Sequence, residues 1–397
     1  MNNTPGRIAS IDIMRGLTLV LMLFVNDLYM PGVPAWLGHM PADFDGMGLA
    51  DWVFPGFLFM VGMAIPFSVG KRLSKGEPVL SVSKHILIRT LSLLIIGILM
   101  LNSERVNPGL TGIGKNLWAI LMYVGVFLVW NKYPETGKRF SVYTALKITG
   151  VVLLALLVIL FRSGEKVNHG WLVTEWWGIL GLIGWGYLVA AFVYVAARNN
   201  LIYTSAAFCF FLALNILSGL NLLNIQGPAG TVFGIIIQGN VPLIVLAGLI
   251  TSLIMNRLSD KKPGNFITIA VLAGVISIGA GFFLRRWFII SKIQATPSWG
   301  LICNGISMIV FSLIYLVADV RKHVRWAAVF KPAGENSLTT YLAPDILYFL
   351  IWSLNFPVLA YKLSMIPAVV IAGSVLWAFL MVGLTALLVK INVRLRL

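Results

Sequence analysis

Apolar runs close to the roughly 20 residues that cross a hydrocarbon core of about 30 Å recur along this chain from Ile11 to Lys390. A backbone in lipid must satisfy its own hydrogen bonds, so such runs become helices that pack as a bundle. Windows bounded by polar or Pro/Gly breaks lie near 11–30, 52–70, 86–101, 117–131, 142–162, 176–197, 202–222, 231–255, 265–288, 299–319, 336–353 and 366–390. The expected fold class is therefore all-α: a polytopic membrane bundle of about twelve helices. Counts of ten and eleven stay open, because the fourth window is short and the third carries Arg89. With 59% apolar residues, 11% charged residues and a mean hydropathy of +0.90, a soluble globular domain is excluded. One integral domain over residues 1–397 is the reading. The first run has Arg15 before it and Asn26 and Asp27 after it, with no small-residue cleavage site, and is expected to remain as a helix. Cys209 and Cys303 fall within windows and read as small buried thiols.

Basic residues orient the spans. With the N-terminus inside, cytoplasmic segments hold nineteen Lys and Arg, Arg7, Lys138, Arg139 and Lys261 among them, against eight outside, including Lys166. That asymmetry favours an even number of spans with both termini cytoplasmic. The net charge of +16 then faces anionic lipid headgroups and calls for no nucleic-acid partner.

Acidic residues are concentrated elsewhere. Of fourteen, Asp12, Asp27, Asp43, Asp45 and Asp51 fall within the first 51 positions, an imbalance that marks the N-terminal helix pair as the polar part of the bundle. In "SIDIMRG", Asp12 and Arg15 stand three apart, on one helix face, where they form a local ion pair. Asn26 lies eleven residues beyond Arg15 and nearly in line with it, so a polar stripe can run along the first helix. Asp51 precedes "WVFPGFLFMVG" and is placed to cap that helix, while Gly56 and Gly62 permit close helix approach. His39 sits in a loop stiffened by Pro31, Pro34 and Pro41, and its imidazole can accept a proton near neutral pH. Taken alone, a loop histidine is ordinary surface.

The pattern "RIASIDIMRGLTLVLMLFVND", a histidine in the next loop, "GLADWVFPGFLFMVG" and a late "GENSLTTYL" resembles the transmembrane acyltransferases typified by heparan-alpha-glucosaminide N-acetyltransferase, bacterial members above all. The N-terminal resemblance covers about 65 residues; later it is confined to Gly334, Asn336, Ser337 and Tyr341. It implies transfer of an acetyl group from cytoplasmic acetyl-CoA to an amino sugar or glycan on the other side of a bacterial inner membrane. His39 takes the place of the family's catalytic histidine and Asn26 that of its active-site asparagine. Asp12, Arg15, Asp27, Asp51, Asn336 and Ser337 would shape the site. Pro344 stands where the lysosomal enzyme has a further histidine, residues 176–222 look like an added helix pair, and the segment "SKIQATPSWGL" is reminiscent of bacterial relatives without an evident role.

Acetyl transfer to an amine needs a base and an oxyanion donor. His39 fits the first. Asn26 can donate to the thioester carbonyl or orient His39, and direct transfer is favoured over an acetyl-histidine intermediate. CoA phosphates want cations, for which Lys71, Arg72, Lys84 and Arg89 are candidates, with Lys115 as a looser echo of an Arg-bearing family stretch. No metal-ligand spacing is present, so no metal is expected. A twelve-helix secondary transporter is the alternative, although residues 200–397 contain no second copy of the early Asp and Pro motifs. O-acetylation of an envelope polysaccharide is a sibling reading, and a homo-oligomer is compatible with either.

Overall fold

The structure is a computed structural model that describes residues 8–134, 140–165, 167–223, 225, 227–258, 262–354 and 357–397. Arg7, Lys138, Arg139, Lys166 and Lys261, used above to orient the spans, lie outside the described residues. Each apolar window becomes a helix: α1 Ala9–Asp27, α2 Leu49–Ile65, α3 Val79–Ser103, α4 Lys115–Trp130, α5 Phe140–Leu160, α6 Gly178–Ala197 and α7 Leu201–Gly219. The eighth window is divided into α8 Pro228–Gln238 and α9 Asn240–Leu258. Then come α10 Pro263–Leu284, α11 Pro297–Tyr315, the short α12 Lys331–Glu335, α13 Ser337–Leu354 and α14 Pro367–Lys390. Among the described residues, 10 helices are long and apolar enough to span a membrane. The third window began late: α3 starts at Val79, so Lys84 and Arg89 lie inside the helix, not at its edge.

Burial sorts these helices into two shells. The most apolar windows of α1, α2 and α11 are 67% buried inside the protein, whereas those of α5, α7 and α10 are 17% buried and turn their surfaces outward. Cys209 lies on α7 and is exposed, which corrects the expectation of a buried thiol there; Cys303, on α11, is buried. Within the inner shell α2 packs on α1, α9 and α11. Helix contact in lipid gains little from hydrophobic burial and depends on close packing. Gly62 of α2 lies against the Val245 carbonyl of α9, and Gly248 of α9 against the Phe59 carbonyl of α2, so that a Cβ at either position would overlap backbone.

Distant hydrogen bonds fix which helix ends share a face. The Asp319 carboxylate accepts from the Ala9 and Ser10 amides, each at 2.9 Å, and so caps α1 from the far end of the α11 segment. Leu395 pairs with Asn131 and donates its amide to Thr339 Oγ1 at 2.8 Å. The beginning of α1 and the end of the chain therefore lie on one face of the bundle. The loop carrying His39 lies on the other.

The α2 and α9 contact provides a test of this packing. Gly248→Val should cost about 3 kcal/mol or more through overpacking against fixed backbone, seen as a lower melting temperature or loss of a monodisperse peak in detergent. Gly383→Ala, on α14 with nothing within 4 Å of the added carbon, should be neutral or slightly stabilising.

Candidate active site

Between α1 and α2 the chain makes two short 3-10 turns, Met30–Gly32 and Ala35–Leu37, and then crosses itself. Gly48 lies against the carbonyl oxygens of Trp36 and Gly38, an approach that any side chain would block. This crossing sets His39 beside the first turn of α2. His39 Nδ1 lies 2.8 Å from Asp51 Oδ1. The second oxygen, Oδ2, accepts from the amides of Met40 at 3.1 Å and Gly48 at 3.0 Å.

Asp51 thus caps α2, as its position suggested, and also holds the histidine. Its side chain is 1% exposed, against 48% for His39. A buried carboxylate that already receives two amide N–H groups is an acceptor, so Nδ1 carries the proton and donates it, which leaves the lone pair on Nε2. Asp51 is fixed in turn from α11, because its backbone carbonyl accepts from Trp299 Nε1 at 3.2 Å. Next along α2, Trp52 Nε1 donates to Ser307 Oγ at 3.2 Å.

A third charged group completes the cluster. Lys292 Nζ lies 3.1 Å from His39 Nδ1 and 3.4 Å from Nε2. Distances this nearly equal place Nζ over the face of the ring, so the in-plane lone pair of Nε2 stays open to another group. Nothing local in the segment "SKIQATPSWGL" marks Lys292 as part of a site.

Its loop, between α10 and α11, is laced to the His39 loop. Gly46 N donates to Ile290 O at 3.0 Å, Ser291 Oγ and Gln294 Nε2 donate to Ala42 O at 2.9 and 2.8 Å, and Asp45 accepts from Ile290 N and Arg285 Nε, each at 2.8 Å. Ala295 adopts a left-handed φ of 49°, unusual for a non-glycine residue. Hydrogen bonds hold it there: Asn215 Nδ2 donates to Ala295 O at 3.0 Å, and Asn240 Nδ2 to Thr296 O and Asn215 Oδ1, both at 3.1 Å. The segment read as an added helix pair thereby supplies, through Asn215, an anchor for the Lys292 loop.

The remaining candidates are distributed more widely. Asn26 is exposed in the last turn of α1. Asp27 is buried and accepts from the hydroxyls of Tyr348 and, at 2.6 Å, Tyr361, with Lys362 Nζ at 2.7 Å; it ties α1 to α13 and the following loop. Asp12 and Arg15 form the expected ion pair at 3.6 Å, and Arg15 also reaches the Gly334 carbonyl at 3.4 Å. Asn336 and Ser337 mark the break between α12 and α13, their side chains bonded to the carbonyls of Pro332 and Ala333. These four lie on the face opposite His39.

On that same opposite face, Lys71 and Arg72 precede α3, and Arg72 pairs with Glu77 at 2.9 Å. Lys84 and Arg89 follow inside α3. The Arg89 guanidinium lies 4.6 Å over the Tyr187 ring, with its buried Nε unpartnered. Lys115 stands apart, paired with Glu104 at 2.5 Å beyond the other end of α3.

Asp45 makes the loop pairing sensitive to acid. The Ile290 amide, and then the Arg285 guanidinium, hold its carboxyl below the ordinary aspartate value. A lowered folded value means that the pairing stabilises above the unfolded value of about 3.9 and is lost as pH falls through the folded one. Hydrogen–deuterium exchange, corrected for intrinsic rates, should show residues 285–296 equally protected from pH 7 to about 5, with protection lost progressively below about 3.9. Asp45→Ala should remove the protection of the Ile290 amide even at neutral pH.

Residues 7–225 match the family described as "Domain of unknown function (DUF5009)". The chain is also 29% identical over 143 residues to heparan-alpha-glucosaminide N-acetyltransferase of Mus musculus, a match covering 34% of this chain and 21% of the relative. With the Homo sapiens protein of the same name the identity is 37% over 98 residues, 25% of this chain and 14% of the relative. The matched stretches thus span about a fifth or less of the length of these relatives.

Proposed function

We propose that this protein, which belongs to the DUF5009 family, is a membrane-embedded acetyltransferase that moves an acetyl group from acetyl-CoA to an amino sugar or glycan, with His39 as general base. One observation carries the reading: an imidazole oriented through Nδ1 by a buried carboxylate, its Nε2 left as the basic atom. That is the base-and-orienter half of known acyl-transfer sites. The names of the mouse and human relatives supply the reaction class.

Nε2 removes the proton that the acceptor amine must lose as its nitrogen bonds to the acetyl carbon. Asp51 orients the ring and stabilises the imidazolium that forms. Since Asp51 fills the orienting role, Asn26 is assigned to the oxyanion, to which its amide N–H would donate. The acyl donor fits the polar groups on the opposite face: Lys71, Arg72 and Lys84 offer cations to its phosphates. Arg89 lies about 15 Å along α3 from its start, and its orphaned N–H suits a polar ligand reaching inward. In this reading that face is cytoplasmic, in keeping with the excess of Lys and Arg there, the acceptor lies outside, and the membrane is the bacterial inner membrane. Acetyl-CoA would supply the activated acetyl group as a thioester.

The test uses the full chain purified in detergent, with acetyl-CoA and a panel of amino sugars resolved by mass spectrometry. Transfer should fall by about 10² to 10⁴ in His39→Ala, by about 10² or more in Asp51→Asn and by about 10² to 10³ in Asn26→Ala. CoA binding should survive all three. Undiminished transfer by His39→Ala would end the proposal, and product linkage separates N- from O-acetylation.

A further inference from the structure

Lys292 lies against the His39 ring. Among the described residues no carboxylate lies within 4.0 Å of its ammonium to form an ion pair, for Asp45 is taken by Arg285 and Asp51 by His39. Its Nζ instead meets both nitrogens of the imidazole, at 3.1 and 3.4 Å. The backbone beneath it is held from three sides, by Ala42, by Asn215 and by Asn240.

We propose that Lys292 is the acid partner of His39, giving a proton to the sulfur of the departing thiol while the imidazole takes one from the attacking amine. This rests on the acetyltransferase reading above and assigns its second half. As the amine nitrogen bonds to the acetyl carbon, Nε2 accepts the proton that nitrogen loses. As the carbon–sulfur bond breaks, the sulfur keeps the electron pair and receives a proton from the Lys292 ammonium, leaving as thiol. The imidazolium of the half-exposed His39 then gives its proton to water and the neutral amine of Lys292 takes one up, so the pair is reset with no net gain or loss of protons. Nζ and Nε2 lie 3.4 Å apart, so the acid and the base border one small space.

The charged and titratable groups facing Lys292 are His39, Asp51 and the buried Cys303, with the Asp45 and Arg285 pair in the adjoining loops. Burial pushes the Lys292 ammonium below the usual lysine range, and the Asp51 carboxylate opposes that shift. A lowered value brings the ammonium towards the thiol range, where proton transfer to sulfur is most nearly matched.

Two measurements test the assignment. The first compares donors by leaving group. With acetyl-CoA, an alkyl thioester, Lys292→Met should lose about 10² or more in kcat/KM. With S-phenyl thioacetate, whose more acidic thiol leaves without an acid, the loss should be under about tenfold. Lys292→Arg keeps the charge but holds its proton, and should not restore turnover with acetyl-CoA.

The second measurement needs no turnover: the ultraviolet absorbance of the thiolate of bound CoA, followed against pH. A cation at about 3 Å should lower the thiolate midpoint by about one pH unit in the natural protein and in Lys292→Arg relative to Lys292→Met. Equal losses with both donors, or coincident thiolate titrations on protein that binds CoA, would overturn the role of Lys292 and leave the reading of His39 intact. Acetylation of Lys292 itself on the productive path would overturn it too, by making the lysine an acceptor. Failure of the natural protein to bind CoA would remove the acyl-donor reading and this inference together.

Discussion

The Asp51 carboxylate is the interaction on which the rest of the site depends. It lies at the start of an inner helix, is 1% exposed, and makes three hydrogen bonds at once: to the amides of Met40 and Gly48 and to the ring of His39. A charge withdrawn from water to that extent is tolerable only when its lone pairs are used. Satisfying Asp51 therefore forces the loop between α1 and α2 to fold back over the helix end, with glycine at position 48 where the strands of chain cross. The histidine arrives at its position as part of that compensation.

A second loop locks the first. Ile290, Ser291 and Gln294 bond to the His39 loop, while Asn215 and Asn240 hold the same segment from beneath. Polar side chains are costly in a bundle this apolar, and they are spent here on backbone carbonyls at one face. Rigid support under a loop is what a site needs if its reacting groups are to stay within hydrogen-bond distance. The peripheral α7, lightly buried along its length, reaches this inner structure through Asn215, whose amide donates to the Ala295 carbonyl.

Much of the architecture was legible in the sequence, because hydropathy is a local property and each apolar window became a helix. The Asp12 and Arg15 ion pair was legible for the same reason, being set by helical spacing. Asp51 was readable as a cap but not as the partner of His39, since a cap is fixed by neighbours in sequence whereas the partner depends on how eleven intervening residues turn. Asp27 was expected to shape the site; it is a buried anchor held by Tyr348, Tyr361 and Lys362, residues more than 300 positions away. The five candidate cofactor cations do not gather in one place either, for Lys115 lies beyond the far end of α3 and pairs with Glu104.

By itself, then, the sequence determined that this chain is a helical membrane bundle with its polarity gathered at the first helix pair, since the cost of polar groups in lipid is carried residue by residue. Only the tertiary structure decided which groups meet. Lys292 and His39 stand 253 positions apart, on loops whose composition announces nothing about each other. Their contact follows from helix packing that brings the end of α10 and the start of α11 alongside the start of α2, and from a buried carboxylate that holds the ring in place once they are there.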